Sequence, residues 1–296
     1  MEKFIIYFVK AYLFYTHEIS YDTSILVLVS RVVKLSKIIA TWNINSVRLR
    51  AALVAKLLKE EAPDVLCLQE CKSPVDKIPK DLFVDCGYPY MVARGQKGYN
   101  GVMILSRIPI EEVGAYDFGK LGDARHIAGR LENGLIIHNF YVPAGGNIPD
   151  RKINDKFGYK LDYLSAMKAF FQETIPRKSI LVGDLNIAPR EDDVWDHKKL
   201  INVVSHTPIE VEALAEVQTS GSWVDVTRQH FPDGKLYSWW SYRAANWAAT
   251  NKGRRLDHIW ASRDVYDKAY SSRILSHVRG WDRPSDHVPV FATFDL

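Results

Sequence analysis

From Lys37 onward, short apolar runs alternate with stretches whose apolar residues recur at helical spacing. Lys37–Trp42, Val65–Gln69, Gly101–Leu105, Leu135–Tyr141, Ser179–Val182, Leu256–Trp260 and Val288–Phe294 read as strands. Val47–Lys59 reads as a helix with Val47, Leu53, Val54, Leu57 and Leu58 on its apolar face. Tyr159–Phe171 reads as a second, with Leu161, Leu164, Met167 and Phe171 near helical spacing. Several strands are apolar on both faces, which calls for helices or another sheet on each side. The pattern predicts a layered α/β domain.

Residues 1–36 break from this rhythm. The run Phe4–Val9 stops at Lys10, and Arg31 interrupts Ile25–Val33. Neither reaches the roughly 20 apolar residues of a membrane-spanning helix, and no small-residue cleavage pattern follows. Residues 1–36 are therefore expected to be an N-terminal extension outside the core, with 37–296 forming one domain and no membrane association. The 296 residues are 47% hydrophobic and 25% charged, which excludes a disordered tail, a collagen and a small disulfide scaffold. The net charge of +4 is compatible with a polyanionic partner but does not by itself argue for one. Cys67, Cys71 and Cys86 are odd in number and form no Cys-x-x-Cys pair, which points to a reducing compartment rather than a disulfide framework.

Polar residues stand where the apolar strands stop. Asn43 and Asn45 follow the first strand, Glu70 the second, and Asp184 and Asn186 the strand that ends at Gly183. Asp257 and His258 lie within an apolar run, and Asp286-His287 opens the last one. In layered α/β proteins, strand ends aim side chains into a common crevice. Carboxylates and amides suit a hard divalent cation, and a histidine suits phosphate oxygens. Each set alone has an ordinary reading: Asp-Leu-Asn as a helix cap or Asx-turn, Glu70 as a solvated edge, Asp257 as a partner of Arg254 or Arg255. Their ordered recurrence is what raises the functional reading.

The motifs Thr41-Trp42-Asn43-Ile44-Asn45, Leu68-Gln69-Glu70, Tyr99-Asn100-Gly101-Val102, Tyr141-Val142-Pro143 and Gly183-Asp184-Leu185-Asn186-Ile187-Ala188-Pro189 occur in that order. Ser238-Trp239-Trp240-Ser241-Tyr242-Arg243, Arg255-Leu256-Asp257 and Ser285-Asp286-His287-Val288-Pro289-Val290 complete the set. On these residues, from Lys37 to Leu296, the sequence resembles the exonuclease III family of abasic-site endonucleases, in the endonuclease/exonuclease/phosphatase superfamily. The resemblance implies a four-layer α/β sandwich: two packed mixed β-sheets flanked by helices. The Trp-Cys-Asp-Arg box expected of an inositol phosphatase is absent.

The implied reaction is hydrolysis of the phosphodiester 5′ to an abasic site in duplex DNA, leaving a 3′-hydroxyl and a 5′-deoxyribose phosphate. Exonuclease action in the 3′→5′ direction and cleaning of blocked 3′ ends are expected with it. By resemblance, Glu70 holds Mg²⁺ (with Mn²⁺ as a substitute), and Asn43 and Asp286 belong to the same ligand shell. Asp184 orients or deprotonates the attacking water, and Asn186 holds that water or a phosphate oxygen. His287 donates to a non-bridging oxygen, Asp257 fixes its imidazole, and Tyr141 lies against the phosphate. Trp239 and Leu256 match positions that wall a pocket for an extruded abasic sugar. Lys97, Tyr99 and Asn100 are expected to reach DNA on the opposite side, with Asn45 and Arg243 as further contacts. Residues 228–283 carry eleven Lys/Arg against five Asp, a balance of +6, and five of the eight tryptophans. Basic residues interleaved with aromatics suit nucleic acid, although Trp240 and Trp260 are expected to be buried packing residues. A monomer in the cytoplasm, with the chromosomal DNA, completes the expectation.

Overall fold

Strands apolar on both faces become the inner layers of a sandwich. The computed structural model describes residues 36–244 and 246–296; the N-terminal extension expected over 1–36 lies, save Ser36, outside the described residues. The strands are β1 (Ser36–Asn43), β2 (Val65–Gln69), β3 (Tyr90–Arg94), β4 (Val102–Ser106), β5 (Ile110–Gly114), β6 (His126–Leu131) and β7 (Ile136–Tyr141). They continue as β8 (Ser179–Asp184), β9 (Val224–Asp225), β10 (Trp239–Trp240), β11 (Gly253–Arg254), β12 (Asp257–Ala261), β13 (Ala269–Ile274) and β14 (Val290–Asp295). One six-stranded sheet runs β13-β14-β1-β2-β4-β3, the other β5-β6-β7-β8-β12-β9, and β10-β11 form a short ribbon.

Both large sheets are mixed. In the first, β1 and β2 are parallel; in the second, β7 and β8 are parallel, and β12 runs antiparallel beside β8. A parallel neighbour requires a crossover, commonly a helix. Helix α1 (Ala51–Glu61) bridges β1 to β2, and α2 (Asp155–Thr174) bridges β7 to β8. A third helix, α3 (Pro208–Ser220), starts with a capping box in which Thr207 and Glu210 satisfy each other's backbone N–H.

Three clusters of buried side chains define four layers. Between the sheets lie Ile39, Val65 and Ile104 from one and Ile127, Ile137, Val182 and Ile259 from the other. Outside the first sheet, Ala40, Trp42, Leu66 and Leu68 pack on Val54, Leu57 and Leu58 of α1. Outside the second, Phe140, Leu181 and Trp260 pack on Leu164, Met167 and Phe171 of α2 and Leu214 of α3. Burying one such side chain contributes about 1.5–3 kcal/mol. One polar bridge crosses the inner layer. Gln69 Nε2 donates to Asn139 Oδ1 at 2.7 Å, and Asn139 Nδ2 donates to the Leu68 and Met103 carbonyls.

The first helix begins at Ala51, four residues later than its apolar periodicity predicts. Asn45 and Ser46 take left-handed φ values of 48° and 89°, so Val47–Arg50 form a turn. Val47 is nonetheless buried against Leu57 and Leu58's cluster, because periodicity reports burial and not the helix itself. Trp240 and Trp260 are buried, as packing residues should be. Among the described residues, no helix is long and apolar enough to cross a membrane.

Candidate active site

The two parallel pairs and the start of β12 carry the polar residues of the sequence motifs. Asn43 ends β1, Glu70 follows β2, Tyr141 ends β7 and Asp184 ends β8. Tyr141 and Asp184 are cross-strand partners in register, and so are Asp184 and Asp257. Three chain reversals use left-handed backbone at Asn45, Glu70 and Asn186, with φ of 48°, 49° and 53°. Asparagine tolerates this region; at a glutamate it costs about 1–3 kcal/mol. Backbone bonds hold Glu70 there: Ser46 N donates to its carbonyl, and the next amides, of Cys71 and Lys72, donate to Gly101 and Asn100.

A single amide links the two main carboxylates. The Asn43 Nδ2 donates to Glu70 Oε1 at 3.0 Å and to Asp184 Oδ2 at 2.8 Å. Its Oδ1 accepts from the Asn45 backbone at 3.1 Å, so the nitrogen faces the acids. Asn186 closes on the other side of Asp184. Its backbone N–H reaches Asp184 Oδ1 at 2.9 Å, and its Nδ2 donates to Asp184 Oδ2 and the Val142 carbonyl.

His287 stands next to this pair. Its Nδ1 lies 2.8 Å from Asp257 Oδ2, and its Nε2 lies 3.7 Å from Asp184 Oδ2. A carboxylate only accepts, so Nδ1 carries a proton. Burial alone would push the imidazole pKa down, but the charges of Asp257 and Asp184 raise it and favour imidazolium. Burial lifts the Asp184 carboxyl above the usual range; His287 opposes the lift, and Asp257 and Glu70 add to it. Burial also lifts the Tyr141 phenol, and the nearby Glu70 and Asp184 charges reinforce that, keeping it a neutral donor. The Arg125 guanidinium lies 4.8 Å from the Tyr141 ring centre.

Asp286 accepts from Asn45 Nδ2 at 3.1 Å and from the Trp239 indole at 2.9 Å. Trp239 leans on the cluster of Leu256, Ala188, Val194 and Leu200, and Arg254 sits 5.4 Å over its ring. Thus Asn43, Asn45, Glu70, Asp184, Asn186, Asp257, Asp286, His287 and Trp239 form one bonded network, with Tyr141 and Leu256 adjoining it. Lys97, Tyr99 and Arg243 are exposed and make no side-chain bond to that network. Asn100 differs from them: it is 4% exposed, and its Nδ2 donates to Gln96 Oε1 at 2.8 Å. Its carbonyl receives the Lys72 amide, so it supports the Glu70 turn from behind.

Several participants escaped the motif reading. Lys72 Nζ lies 2.7 Å from Glu70 Oε2 and 2.6 Å from Asn45 Oδ1. Burial works to raise the Glu70 carboxyl pKa, but Lys72 and Asn43 hold it below the usual range. Ser285 Oγ donates to the Asn43 carbonyl, Trp42 Nε1 to that of His287, and Ser238 Oγ receives the Asp257 amide. The only available signal was nearness in sequence: Trp42, Ser238 and Ser285 lie within quoted motifs, and Lys72 follows one by two residues.

The residues present fit a divalent cation. The lysine ammonium already bridges oxygens of Glu70 and Asn45, so this part of the site holds positive charge among oxygen donors, the set hard cations prefer. The other cluster of potential ligands, Asp184, Asp257 and His287, gathers within 4.8 Å, but its carboxylates are already paired with the imidazole.

A parallel-strand crevice lined by these acids, an amide bridge and an Asp–His pair marks a phosphoester-cleaving enzyme of the sandwich type. The chain belongs to the Endonuclease/Exonuclease/phosphatase family, whose profile matches residues 40–287. Within it the protein is of the exodeoxyribonuclease III type, a DNA-repair nuclease. It is 31% identical over 261 residues to an exodeoxyribonuclease of Bacillus subtilis, covering 84% of this chain and 96% of that protein. An AP endonuclease structure from Archaeoglobus fulgidus superposes with a TM-score of 0.81 at 33% identity, over 88% of this chain and all of that one. A 3′ phosphatase from Neisseria, solved with a product DNA hairpin, gives 0.80 at 32% identity, again over 88% of this chain and all of the other.

Proposed function

We propose that this protein is a Mg²⁺-dependent nuclease that cuts the phosphodiester 5′ to an abasic site in duplex DNA. The products are a 3′-hydroxyl and a 5′-deoxyribose phosphate. The observation that carries this reading is the Asn43 amide, which ties Glu70 to Asp184 within one network that also holds the Asp257–His287 pair. The relatives' names point the same way: an exodeoxyribonuclease, an AP endonuclease and a DNA-bound 3′ phosphatase. They also support 3′→5′ exonuclease action and removal of 3′ blocks by the same site. The protein acts as a monomer on chromosomal DNA in the cytoplasm.

The diester is anionic and repels a nucleophile, so its oxygens must be neutralised while a water is aimed at phosphorus. Asp184 accepts the proton of that water, helped by a pKa that burial has raised. Asn186 steadies the same water through its Oδ1, which makes no bond among the described residues, while its nitrogen stays on Asp184. The imidazolium of His287 donates from Nε2 to a non-bridging oxygen, and Asp257 keeps the ring aligned. Tyr141, neutral, donates to the same phosphate. Glu70, with Asn43 and Asp286 nearby, would hold Mg²⁺, and the bound ion would supply Lewis acidity and positive charge for the leaving alkoxide. Mn²⁺ can take its place.

Lesion choice comes from the Trp239–Leu256 wall, which accepts a sugar without a base; extrusion is easiest where no base is unstacked. Lys97 and Tyr99 contact the strand on one flank and Arg243 on the other, with Asn45 at the reacting phosphate. Asn100 contributes by holding their loop. The test is a nicking assay on a synthetic duplex with one abasic site, run with Mg²⁺ and with EDTA. Intact duplex and an inositol-phosphate head group serve as comparison substrates. Cleavage 5′ to the lesion, abolished by EDTA and at least about tenfold slower on intact duplex, is the expected result. Equal cutting of intact duplex, or turnover of the head group instead, contradicts the assignment.

A further inference from the structure

Beyond Asp184, three consecutive carbonyls each accept from a buried side chain of a different segment. Lys160 Nζ in α2 reaches Asn186 O at 2.9 Å, His258 Nε2 in β12 reaches Ile187 O at 2.9 Å, and His206 Nδ1 reaches Ala188 O at 2.6 Å. A carbonyl only accepts, so each imidazole carries its proton on the nitrogen named. The Arg255 guanidinium, 3.0 Å from His258 Nδ1, requires the same tautomer.

Lys160 stands apart from the two histidines because it brings a full charge into the interior. Its side chain and that of its partner, Glu210, are both completely buried, with Nζ and Oε1 2.5 Å apart. Glu210 also accepts from the Ser205 amide and from Thr207 Oγ1, which anchors it at the start of α3. Burying such a pair is costly, and apolar residues of similar volume usually fill the space at least as stably. What the ammonium adds is a donor aimed at the backbone of Asn186, with the Ala144 carbonyl at 3.4 Å as a second acceptor.

That carbonyl is the one backbone group of Asn186 that Asp184 and Val142 leave to another partner. The residue sits in left-handed backbone, and its backbone N–H and amide nitrogen are already bonded to Asp184 and Val142. The carbonyl and the side chain leave the same Cα, so a shift of this left-handed backbone as a unit would carry the amide off Asp184.

We propose that Lys160, held by Glu210, is a positioning residue for Asn186: its ammonium locks the Asn186 carbonyl and so keeps the asparagine amide on Asp184. The inference rests on the reading that Asp184 and Asn186 handle the attacking water.

Steady-state nicking of an abasic duplex by the full chain, with the thermal midpoint of each variant, tests it. Lys160→Met should lower kcat about a hundredfold, the scale of a misplaced group about 1 Å out. KM should stay within about twofold, since DNA contacts are untouched. In Lys160→Met combined with Glu210→Gln, which removes the unpaired charge but keeps an acceptor for Ser205 and Thr207, the midpoint should recover toward that of the parent while kcat stays low. Lys160→Arg should restore much of the rate by supplying a donor. In an Asn186→Ala background, Lys160→Met should have no further effect on kcat. Recovery of kcat together with the midpoint in the double variant overturns the proposal, as does an undiminished Lys160→Met effect in the Asn186→Ala background. A parent chain that nicks no abasic site fails the functional reading and this inference together. An active parent with an equally active double variant fails this inference alone.

Discussion

Asp184→Asn should lower kcat for nicking an abasic duplex by about three orders of magnitude, within the range of a lost general base. The substitution keeps the shape and removes the proton acceptor. Oδ1 now accepts from the Asn186 amide, and Oδ2 from Asn43 and Asn186. An asparagine must turn its own nitrogen toward one of these donor sets, so a small loss of stability is expected alongside. Binding to abasic DNA, measured with EDTA present, should change little, because the lost group acts on water. A kcat within tenfold of the parent would assign the base elsewhere.

Asp257→Ala should cut kcat by about 10²–10³ while leaving DNA affinity within a few-fold. Asp257 is fully buried, its Oδ2 serves His287 alone among side chains, and its Oδ1 finds no donor among the described residues. A buried carboxylate so thinly bonded is a poor structural element, since unsatisfied buried oxygens are unfavourable. Its return is a charged, fixed imidazole. Without it His287 keeps its place next to Asp286 but loses both its alignment and the main reason for its raised pKa. Parallel falls in kcat and affinity would instead mark Asp257 as a folding residue. Near-normal kcat would remove the Asp–His pair from the mechanism.

Much of this was legible before any coordinates. The strands that proved central, β1, β2, β4, β7, β8 and β12, are the ones with continuous apolar runs, because they are covered on both faces. Most strands that periodicity did not reveal are exposed or short; β6 is the exception, six residues long and buried, but its apolar run is broken by His126, Gly129 and Arg130. β3, β5 and β13 have one solvent-facing side, and β9 to β11 hold two residues each. Helix α3 has a weak apolar face, yet Thr207-Pro208-Ile209-Glu210 is a capping-box signature that marks its start.

Within the site, residues standing at strand ends were visible as polar interruptions of apolar runs. Lys72 was not, because its role depends on the left-handed turn at Glu70 that folds its ammonium back onto the carboxylate. Lys160 was hidden for another reason. A lysine within a helix reads as a solvated face, and only the packing of α2 against α3 shows it meeting Glu210. The burial of Asn100 likewise follows from a loop closure between Gly101 and Ala124 that spacing along the chain does not encode.

The central claim is that Glu70 and Asp184 serve one phosphate from opposite sides of the Asn43 amide. Anomalous diffraction from crystals grown with Mn²⁺ and uncleaved abasic duplex tests it directly. The expected result is a manganese peak on the Glu70 carboxylate, with the phosphate 5′ to the lesion lying between that ion and His287. Manganese bound away from Glu70, or a lesion phosphate out of reach of Asp184 and His287, would contradict it.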